Sequence, residues 1–509
     1  MNSYTSIQSP TDMLIYGYKI LLKNPNTIAA FILTESITVT LHTILAISLL
    51  VILGYYRIFN IIPYIVEGLR EGNISVLYDP IVLNPIRIIL SIVIPLTIII
   101  TSIISAFIYS GLYPFLDRIL SAKPSSLYYL FENSFNRWRS VFKVYLTMYI
   151  LVLAPLTPGA TIICLVLHGL IPFKLVELGV KLLIIGFGFM AILFLILLFT
   201  PIIAVLKGKG VIESIHESIL LVRRGLKYVV LYIILLILVY TMISTILIVS
   251  GYLSITLSSI ISAVFTLILN PILTLYLLSV YKVLNGRSIV LPMDTNLALI
   301  LQFTSRIVKL FKTSLRAITN RGIVVYILIA LLLFMLGFTY GTYIVSRDVK
   351  ELIIKLGILV PSRMETEFTV YNKLFLSIDI FFHNWKAVLG SSIAGFAYTI
   401  PSVVSLVFNG LIVGSVITIL EFTPSINVFI SVIPHSIIEI PTFIMVSAFG
   451  IKLGIVVYKY SRSRAKLDDV VNSYRELLSI LLLSILLFLV AGIIEANIVP
   501  TLIKVHSPL

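Results

Sequence analysis

The chain is built from long apolar runs that are separated by short polar loops. Many runs exceed the roughly 18–20 residues that an α-helix needs to cross a bilayer, and their order predicts about eleven membrane spans. The predicted spans cover approximately residues 28–55, 88–113, 143–170, 180–205, 228–250, 257–281, 322–345, 385–404, 405–422, 434–459 and 477–499. The pattern therefore predicts an all-α, polytopic transmembrane helical bundle.

The composition supports a lipid environment for these runs. Hydrophobic residues make up 59% of the chain, charged residues make up 12%, and the mean hydropathy is +1.11. A soluble domain is about one quarter charged, so the lipid bilayer is the first expected partner. Gln8 and Gln302 are the only glutamines. Scarcity of thermolabile residues is typical of thermophiles, which suggests an archaeal or thermophilic source.

Basic residues are concentrated in four loops on one side of the predicted threading. Cytoplasmic loops of membrane proteins carry an excess of Lys and Arg. We therefore expect a multi-pass protein of the cell membrane with a cytoplasmic N-terminus and an extracytoplasmic C-terminus. The same rule explains the net charge of +15 without a nucleic-acid partner. The four loops lie at residues 118–143, 207–227, 282–321 and 459–475.

A polar, basic stretch at residues 286–320 divides the chain into two predicted modules. Residues 1–285 are expected to form an N-terminal six-span membrane module with amphipathic cytoplasmic helices. Residues 286–320 are expected to form a basic cytoplasmic linker, and residues 321–509 a second membrane module. Apolar and basic residues alternate at 297–311 in a pattern typical of an amphipathic helix that lies on a membrane.

Two short motifs characterise the N-terminal module. They are the nine residues from Gly17 to Pro25 and the sixteen residues from Gly210 to Gly225. On these motifs the module resembles the membrane domain found in some glycerophosphoryl diester phosphodiesterases. No phosphodiesterase catalytic domain accompanies it in this sequence, so the resemblance implies no hydrolase activity.

The C-terminal module carries polar side chains inside predicted spans. His435 and Glu439 are four residues apart and share one face of a helix. An ionisable side chain costs about 2.5–3.5 kcal/mol at the bilayer centre, so such a pair needs an interior partner or use. Glu495 and Asn384 are predicted at similar depth, and we expect these four residues to form an intramembrane polar site. Asn409 is predicted on the opposite, inner side, in a separate packing contact.

Prolines and glycines in this module predict breaks and close contacts. The run 425–459 is too long for one straight span, and Pro434 is expected to split it into a half-helix and a longer span. Pro441 follows seven residues later. Two pairs of glycines four residues apart predict close helix packing. These pairs are Gly410 with Gly414 and Gly450 with Gly454.

Residues 322–500 resemble the stage II sporulation protein M family. The resemblance implies a component of membrane-embedded complexes rather than a catalyst. Ser436 departs from the family pattern, which usually has glycine after the histidine. The residues that match the recurring positions of the family are Asn384, Asn409, Gly410, His435, Glu439, Pro441 and Glu495.

Several uses fit the intramembrane polar site. It is compatible with a structural tie between spans, with a proton- or cation-coupled conduit, and with a metal site. Since the His-Glu-x-x-His pattern of zinc proteases is absent, and no phosphate-binding loop or catalytic triad order stands out, no metal and no cofactor are predicted. Glu35 and His42 are expected to form a second, internal pair in the first span.

The prediction for function is a non-enzymatic integral membrane protein. It is expected to be a membrane-embedded component of a protein complex or a membrane-shaping scaffold, with membrane or cytoplasmic proteins as possible partners. The alternative is a proton- or cation-coupled secondary transporter or channel that uses the histidine and the glutamates. A water-filled cavity at Pro434, lined by these side chains, would favour the alternative, whereas tight packing would favour the scaffold.

Overall fold

The computed structural model describes residues 4–34, 92–253, 268–345, 370–421 and 428–506, apart from residues 8, 168, 169 and 293, together with isolated positions between 45 and 84. In this part of the chain, seven helices are long and apolar enough to cross a membrane. The predicted all-α, polytopic bundle is confirmed. The count of eleven spans stays a prediction. The seven helical segments are Ile94–Leu120, Leu127–Val166, Val176–Lys207, Arg321–Ile344, Ile400–Ile419, Ile433–Ser461 and Leu467–Ile498.

The described elements are almost entirely helical, with one short antiparallel ribbon in which Tyr4 faces Pro292 and Ile7 faces Ile289. In chain order the elements are β1 (Tyr4–Ile7), α1 (Asp12–Lys23), α2 (Ile94–Leu120), α3 (Leu127–Leu153), α4 (Thr157–Leu167), α5 (Val176–Ile196), α6 (Thr200–Lys207), α7 (Val211–Arg224), α8 (Leu226–Leu253), α9 (Asn270–Leu284), β2 (Ile289–Pro292), α10 (Asn296–Ile318), α11 (Val324–Ile344), α12 (Val370–Ile393), α13 (Ile400–Glu421), α14 (Val428–Ser461) and α15 (Leu467–His506).

The chain divides into two compact units, each with its own internal contacts. Unit 2 contains an N-terminal segment as well as the C-terminal helices, and Tyr474 Oη of α15 donates to the Ala29 carbonyl oxygen at 2.6 Å. The module boundaries that the sequence suggested stay a prediction. Unit 1 comprises residues 1–17, 40–233 and 274–292, and unit 2 comprises residues 18–39, 234–273 and 293–509.

Unit 1 is organised around the hairpin of α2 and α3. The Ser126 hydroxyl caps α3 by accepting a hydrogen bond from the Tyr129 backbone N–H at 3.3 Å. Gly111 of α2 lies directly against the Leu130 carbonyl oxygen and the Ser134 hydroxyl of α3. Because a side chain at residue 111 would collide with both groups, glycine sets the closeness of this helix pair.

A buried lysine ties α9 to the end of α2 within unit 1. The Lys282 side chain is only 2% exposed, and its Nζ lies 3.0 Å from Asp117 Oδ1. The same ammonium donates to the Ser121 hydroxyl at 2.6 Å. A buried charge is tolerated only when it is paired and hydrogen-bonded, and both conditions hold here. The sequence pattern alone places Lys282 among the basic residues of the loop at 282–321 and does not indicate its burial.

In unit 2, α11 and α13 are held together by glycines on both helices. A Cβ at any of four glycines would meet a backbone carbonyl of the facing helix at a distance that no real side chain tolerates. Lipid supplies no hydrophobic drive between helices, so such backbone contact is what association depends on. The four contacts are Gly337 against Val407, Gly341 against Leu411, Gly410 against Phe334, and Gly414 against Phe338.

The boundary between the predicted spans 385–404 and 405–422 is wrong. The turn lies earlier, because α12 ends at Ile393 and α13 begins at Ile400. Tyr398 and Thr399 adopt positive φ angles of 53° and 69° in this turn. Hydropathy does not reveal this turn, since the whole run is apolar. The change of chain direction depends on backbone conformation and on small residues.

We expect Gly410→Ala to destabilise the protein by about 1–3 kcal/mol, because its methyl group would meet the Phe334 carbonyl oxygen of α11. Thermal unfolding in detergent, followed by tryptophan and tyrosine fluorescence, measures the change. Gly188→Ala is the matched control, since nothing lies within 4 Å of a Cβ there. It should leave the midpoint unchanged or raise it through helix propensity. Equal effects of the two variants would contradict the backbone contact.

We expect Lys282→Met to lower the midpoint of thermal unfolding by the equivalent of about 1–3 kcal/mol, because it leaves Asp117 without its cation. Lys181→Met provides the comparison. Lys181 forms a 2.6 Å ion pair with Glu177, but its side chain is 65% exposed, and exposed pairs contribute little. Similar decreases of the unfolding midpoint in the two variants would show that burial does not increase the contribution of Lys282 to stability.

Candidate functional site

The helical hairpin of α14 and α15 positions the ionisable residues of the candidate site. His435 and Glu439 lie one turn apart on α14, and Glu495 lies on α15. His435 Nε2 is 3.9 Å from Glu495 Oε2. One nitrogen or oxygen atom from each of the three residues lies within 4.8 Å of the other two. The structure thus brings together three of the four predicted residues, hereafter the His–Glu–Glu cluster.

An ion pair fixes the register of the same two helices. Lys452 Nζ of α14 lies 2.5 Å from Glu476 Oε2 of α15. The 17 residues from His435 to Lys452 span about 25 Å at the helical rise of 1.5 Å per residue. The α14–α15 interface therefore has an ion pair towards its connecting turn and the His435–Glu495 contact towards its far end. The pairing was not predicted from the sequence, because Asp468, Asp469 and Glu476 all lie in the first turns of α15 and nothing in the pattern singles out Glu476.

The His–Glu–Glu cluster is largely shielded by the helices of unit 2. The side chains of His435 and Glu495 are 14% and 33% exposed. Nδ1 of His435 is buried and has no hydrogen-bond partner among the described residues. The cluster therefore holds one imidazole nitrogen that the described residues leave without a hydrogen bond, which is costly in an apolar environment.

A small cavity adjoins the cluster through Glu439. Its volume is about 50 Å³, and Asn384 of α12, Asn409 of α13 and Glu439 of α14 provide its polar lining. A space of this size admits water, which needs about 10–15 Å³ of such volume per molecule. Asn384, the fourth predicted site residue, lines this cavity together with Glu439. The remaining lining is apolar: Phe334, Ala387, Val413, Ile440, Phe443 and Phe488.

The predicted position of Asn409 is wrong. It had been placed on the opposite side of the bundle from Glu439, but the two residues line the same cavity. The error follows from the misplaced turn: α13 begins at Ile400, so Asn409 lies more than two turns into the helix rather than near its start. Its Nδ2 donates to the Ser405 carbonyl oxygen at 2.8 Å.

The predicted break at Pro434 is also wrong. α14 continues from Val428 to Ser461 with Pro434 and Pro441 inside it. Each proline removes one backbone donor, and membrane helices tolerate this loss when neighbouring helices and side chains satisfy the freed carbonyls. The polar residues therefore lie on a continuous helix and not at the end of a half-helix.

The glycines of α14 pack against the turn between α12 and α13. Gly450 lies close to the Ser402 hydroxyl and the Ser392 carbonyl oxygen, at 2.7 and 2.8 Å from an ideal Cβ. Gly454 lies directly against Gly395 and Thr399 of the same turn. Glu35 and His42, the second predicted pair, lie outside the described residues.

We expect the contact between Lys452 and Glu476 to be energetically coupled. Lys452→Met and Glu476→Gln should each cost about 1–3 kcal/mol, because each leaves a half-buried charge alone. The double variant should cost less than the sum, measured as thermal unfolding midpoints in one detergent. Lys459→Met, at an exposed position of the same helix, should change stability by less than about 0.5 kcal/mol. Strict additivity would show that the two residues do not interact.

The fold and the site define an integral membrane protein whose C-terminal helices enclose a polar cluster. A sequence model of the family described as "Stage II sporulation protein M" matches residues 330–500. The predicted resemblance is therefore confirmed over this part of the chain, which holds α12, α13, α14 and most of α15. The comparisons do not show the resemblance of residues 1–285 to the membrane domain of glycerophosphoryl diester phosphodiesterases, which stays a prediction.

Two curated relatives come from the archaeon Methanocaldococcus jannaschii, and both are named as uncharacterized proteins. One is 31% identical over 123 residues, which cover 24% of this chain and 56% of the relative. Another is 25% identical over 176 residues, which cover 34% of this chain and 93% of the relative. No solved structure matches the chain.

Proposed function

We propose that this protein is a non-enzymatic, membrane-embedded component of a protein assembly. The observation that carries the proposal is the tight packing of unit 2, where four glycines bring the backbones of α11 and α13 into contact. Such packing suits a rigid element that presents a fixed lipid-facing surface to other membrane proteins. The match to the stage II sporulation protein M family over residues 330–500 agrees with this role.

The form of the cavity also supports a rigid element rather than a conduit. A transport site was expected to open at a broken helix and to be lined by the three ionisable side chains. Instead α14 is continuous at Pro434, and the cavity of about 50 Å³ has only Glu439 of the cluster in its lining. We assign the cluster a binding or bracing role and no catalytic one.

The orientation that we propose follows from charge. The turn between α14 and α15 carries Arg462, Arg464 and Lys466, and Lys459 lies in the last turn of α14. The rule that cytoplasmic loops are basic places this turn in the cytoplasm. The C-terminus is then extracytoplasmic, as is the far end of the α14–α15 hairpin that holds the His–Glu–Glu cluster. With the eleven spans that the sequence predicts, the N-terminus is cytoplasmic.

A proton- or cation-coupled transporter is the second candidate, and one observation favours it. Glu439 belongs to the cluster and also lines the cavity beside Asn384 and Asn409. A carboxylate between a polar cavity and a buried histidine is a common element of proton pathways in membranes.

Flux measurements separate the two candidates. The full chain and Glu439→Gln are reconstituted in liposomes with an entrapped pH-sensitive dye and are exposed to proton, Na⁺ and K⁺ gradients. For a non-transporting component we expect both proteins to match protein-free liposomes. Flux that exceeds this background in the wild type and is lost in Glu439→Gln would overturn the proposal and favour the transporter.

The assembly itself is tested in native membranes. After mild detergent extraction, the tagged protein should migrate on native gels above its own detergent-bound mass, and chemical crosslinking should join it to other membrane proteins. Gly410→Ala should weaken these crosslinks, because it disturbs the rigid surface, whereas the Gly188→Ala control should preserve them. A protein that migrates as a free monomer and crosslinks to nothing would contradict the proposal.

A further inference from the structure

We propose that His435, Glu439 and Glu495 bind one divalent transition-metal cation, represented by Zn²⁺, between α14 and α15. A ligand atom from each residue lies within 4.8 Å of the other two. In a tetrahedral zinc site with bonds of about 2.0–2.2 Å, neighbouring ligand atoms are about 3.4 Å apart. His435 Nε2 and Glu495 Oε2 are already 3.9 Å apart, so small side-chain rotations complete the geometry.

No metal site was predicted from the sequence, because the three proposed ligands do not form a local sequence motif. Glu439 follows His435 by four residues, whereas Glu495 comes from the next helix, 56 residues further along the chain. The third ligand comes into place only through the register of the α14–α15 hairpin, which the Lys452–Glu476 ion pair fixes.

Charge balance favours a cation over an empty cluster. Two carboxylates and a neutral imidazole carry a formal charge of −2, and one divalent cation brings the total to zero. A neutral site avoids the cost of isolated charges in an apolar environment, and this cost exceeds the small gain of an interhelical hydrogen bond, about 0.6 kcal/mol. The cation would be a shared partner for both carboxylates and the imidazole.

The ligand types narrow the choice of cation. One imidazole nitrogen with two carboxylate oxygens suits Zn²⁺, Mn²⁺, Fe²⁺ or Co²⁺, whereas Mg²⁺ and Ca²⁺ prefer sites made of oxygen alone. The cavity beside Glu439 supplies space for a water molecule as a further ligand. Asn384 and Asn409 line that space and offer amide groups for hydrogen bonds to such a water.

The bound cation would fasten the α14–α15 hairpin at the end that lies about 25 Å from the Lys452–Glu476 pair. This inference goes beyond the proposed function, because the glycine-mediated packing of α11 on α13 does not involve the cluster. Failure of metal binding would leave the assembly proposal intact. Conversely, a transport result would leave the metal measurement intact.

The experiment uses the full chain, purified in detergent through an affinity tag without histidine and stripped with a chelator that is then removed. Zn²⁺ is titrated against a competing chromophoric chelator, and bound metal is counted by elemental analysis after gel filtration. We expect one tightly bound Zn²⁺ per chain, a higher unfolding midpoint with Zn²⁺ than without, and no displacement by millimolar Mg²⁺ or Ca²⁺. A stripped wild-type protein that takes up no Zn²⁺, Mn²⁺ or Co²⁺ would overturn the proposal.

Substitutions of the proposed ligands test whether Zn²⁺ binds at the His–Glu–Glu cluster. His435→Gln and Glu495→Gln should each weaken Zn²⁺ binding by about tenfold or more and abolish the shift of the unfolding midpoint. His216→Gln removes an exposed histidine of unit 1 and should bind Zn²⁺ like the wild type. Equal affinity of all three variants would show that the metal binds elsewhere and would refute the assignment.

A gain-of-signal variant keeps the test decisive if the glutamine variants do not fold. In a Cys164→Ser background, Glu495→Cys exchanges one oxygen ligand for a thiolate, which is a stronger ligand for Zn²⁺ and Co²⁺. Co²⁺ bound to this variant should show a sulfur-to-cobalt charge-transfer band that the Cys164→Ser parent lacks. A Co²⁺-loaded variant without that band would place residue 495 outside the coordination sphere and overturn the proposal.

Discussion

The close approach of helix backbones in unit 2 is the constraint on which the C-terminal part of the molecule depends. Membrane helices gain little from burying apolar side chains against one another, so they associate where small residues permit backbone contact. The glycines of α11 and α13 interlock reciprocally, each facing a carbonyl of the other helix. This contact fixes the depth of α13, and with it the position of Asn409 beside Glu439.

Polar contacts between side chains also set the register of α14 and α15. α14 and α15 form an antiparallel pair with Lys452 and Glu476 at one level and His435 and Glu495 at another. A salt bridge in an apolar setting contributes little net stability, but breaking it is costly, so such pairs specify register more than they add strength. Lys282 has the same role in unit 1, where it joins α9 to α2 through Asp117.

The family match and the polar site lie in the same part of the chain. The family match covers residues 330–500, and the cluster, the cavity and the interlocking glycines all lie within that range. Unit 1 has a different polar feature, the buried Lys282, which pairs with Asp117 of a neighbouring helix. The proposals for assembly and metal binding therefore concern unit 2 alone.

The sequence by itself determined the membrane class, the approximate helices and the three ionisable residues of the His–Glu–Glu cluster, because hydropathy and the cost of charge in lipid are local properties. Spacing of four residues also marked Gly410 and Gly414 as packing positions. Only the tertiary structure decided that α12 ends at Ile393 and that α14 passes through Pro434 unbroken, since both depend on backbone conformation and on neighbouring helices. It also decided which distant residues meet: the partner of Lys452, the cavity shared with Asn409, and the approach of Glu495 to His435 follow from helix register, which hydropathy does not encode.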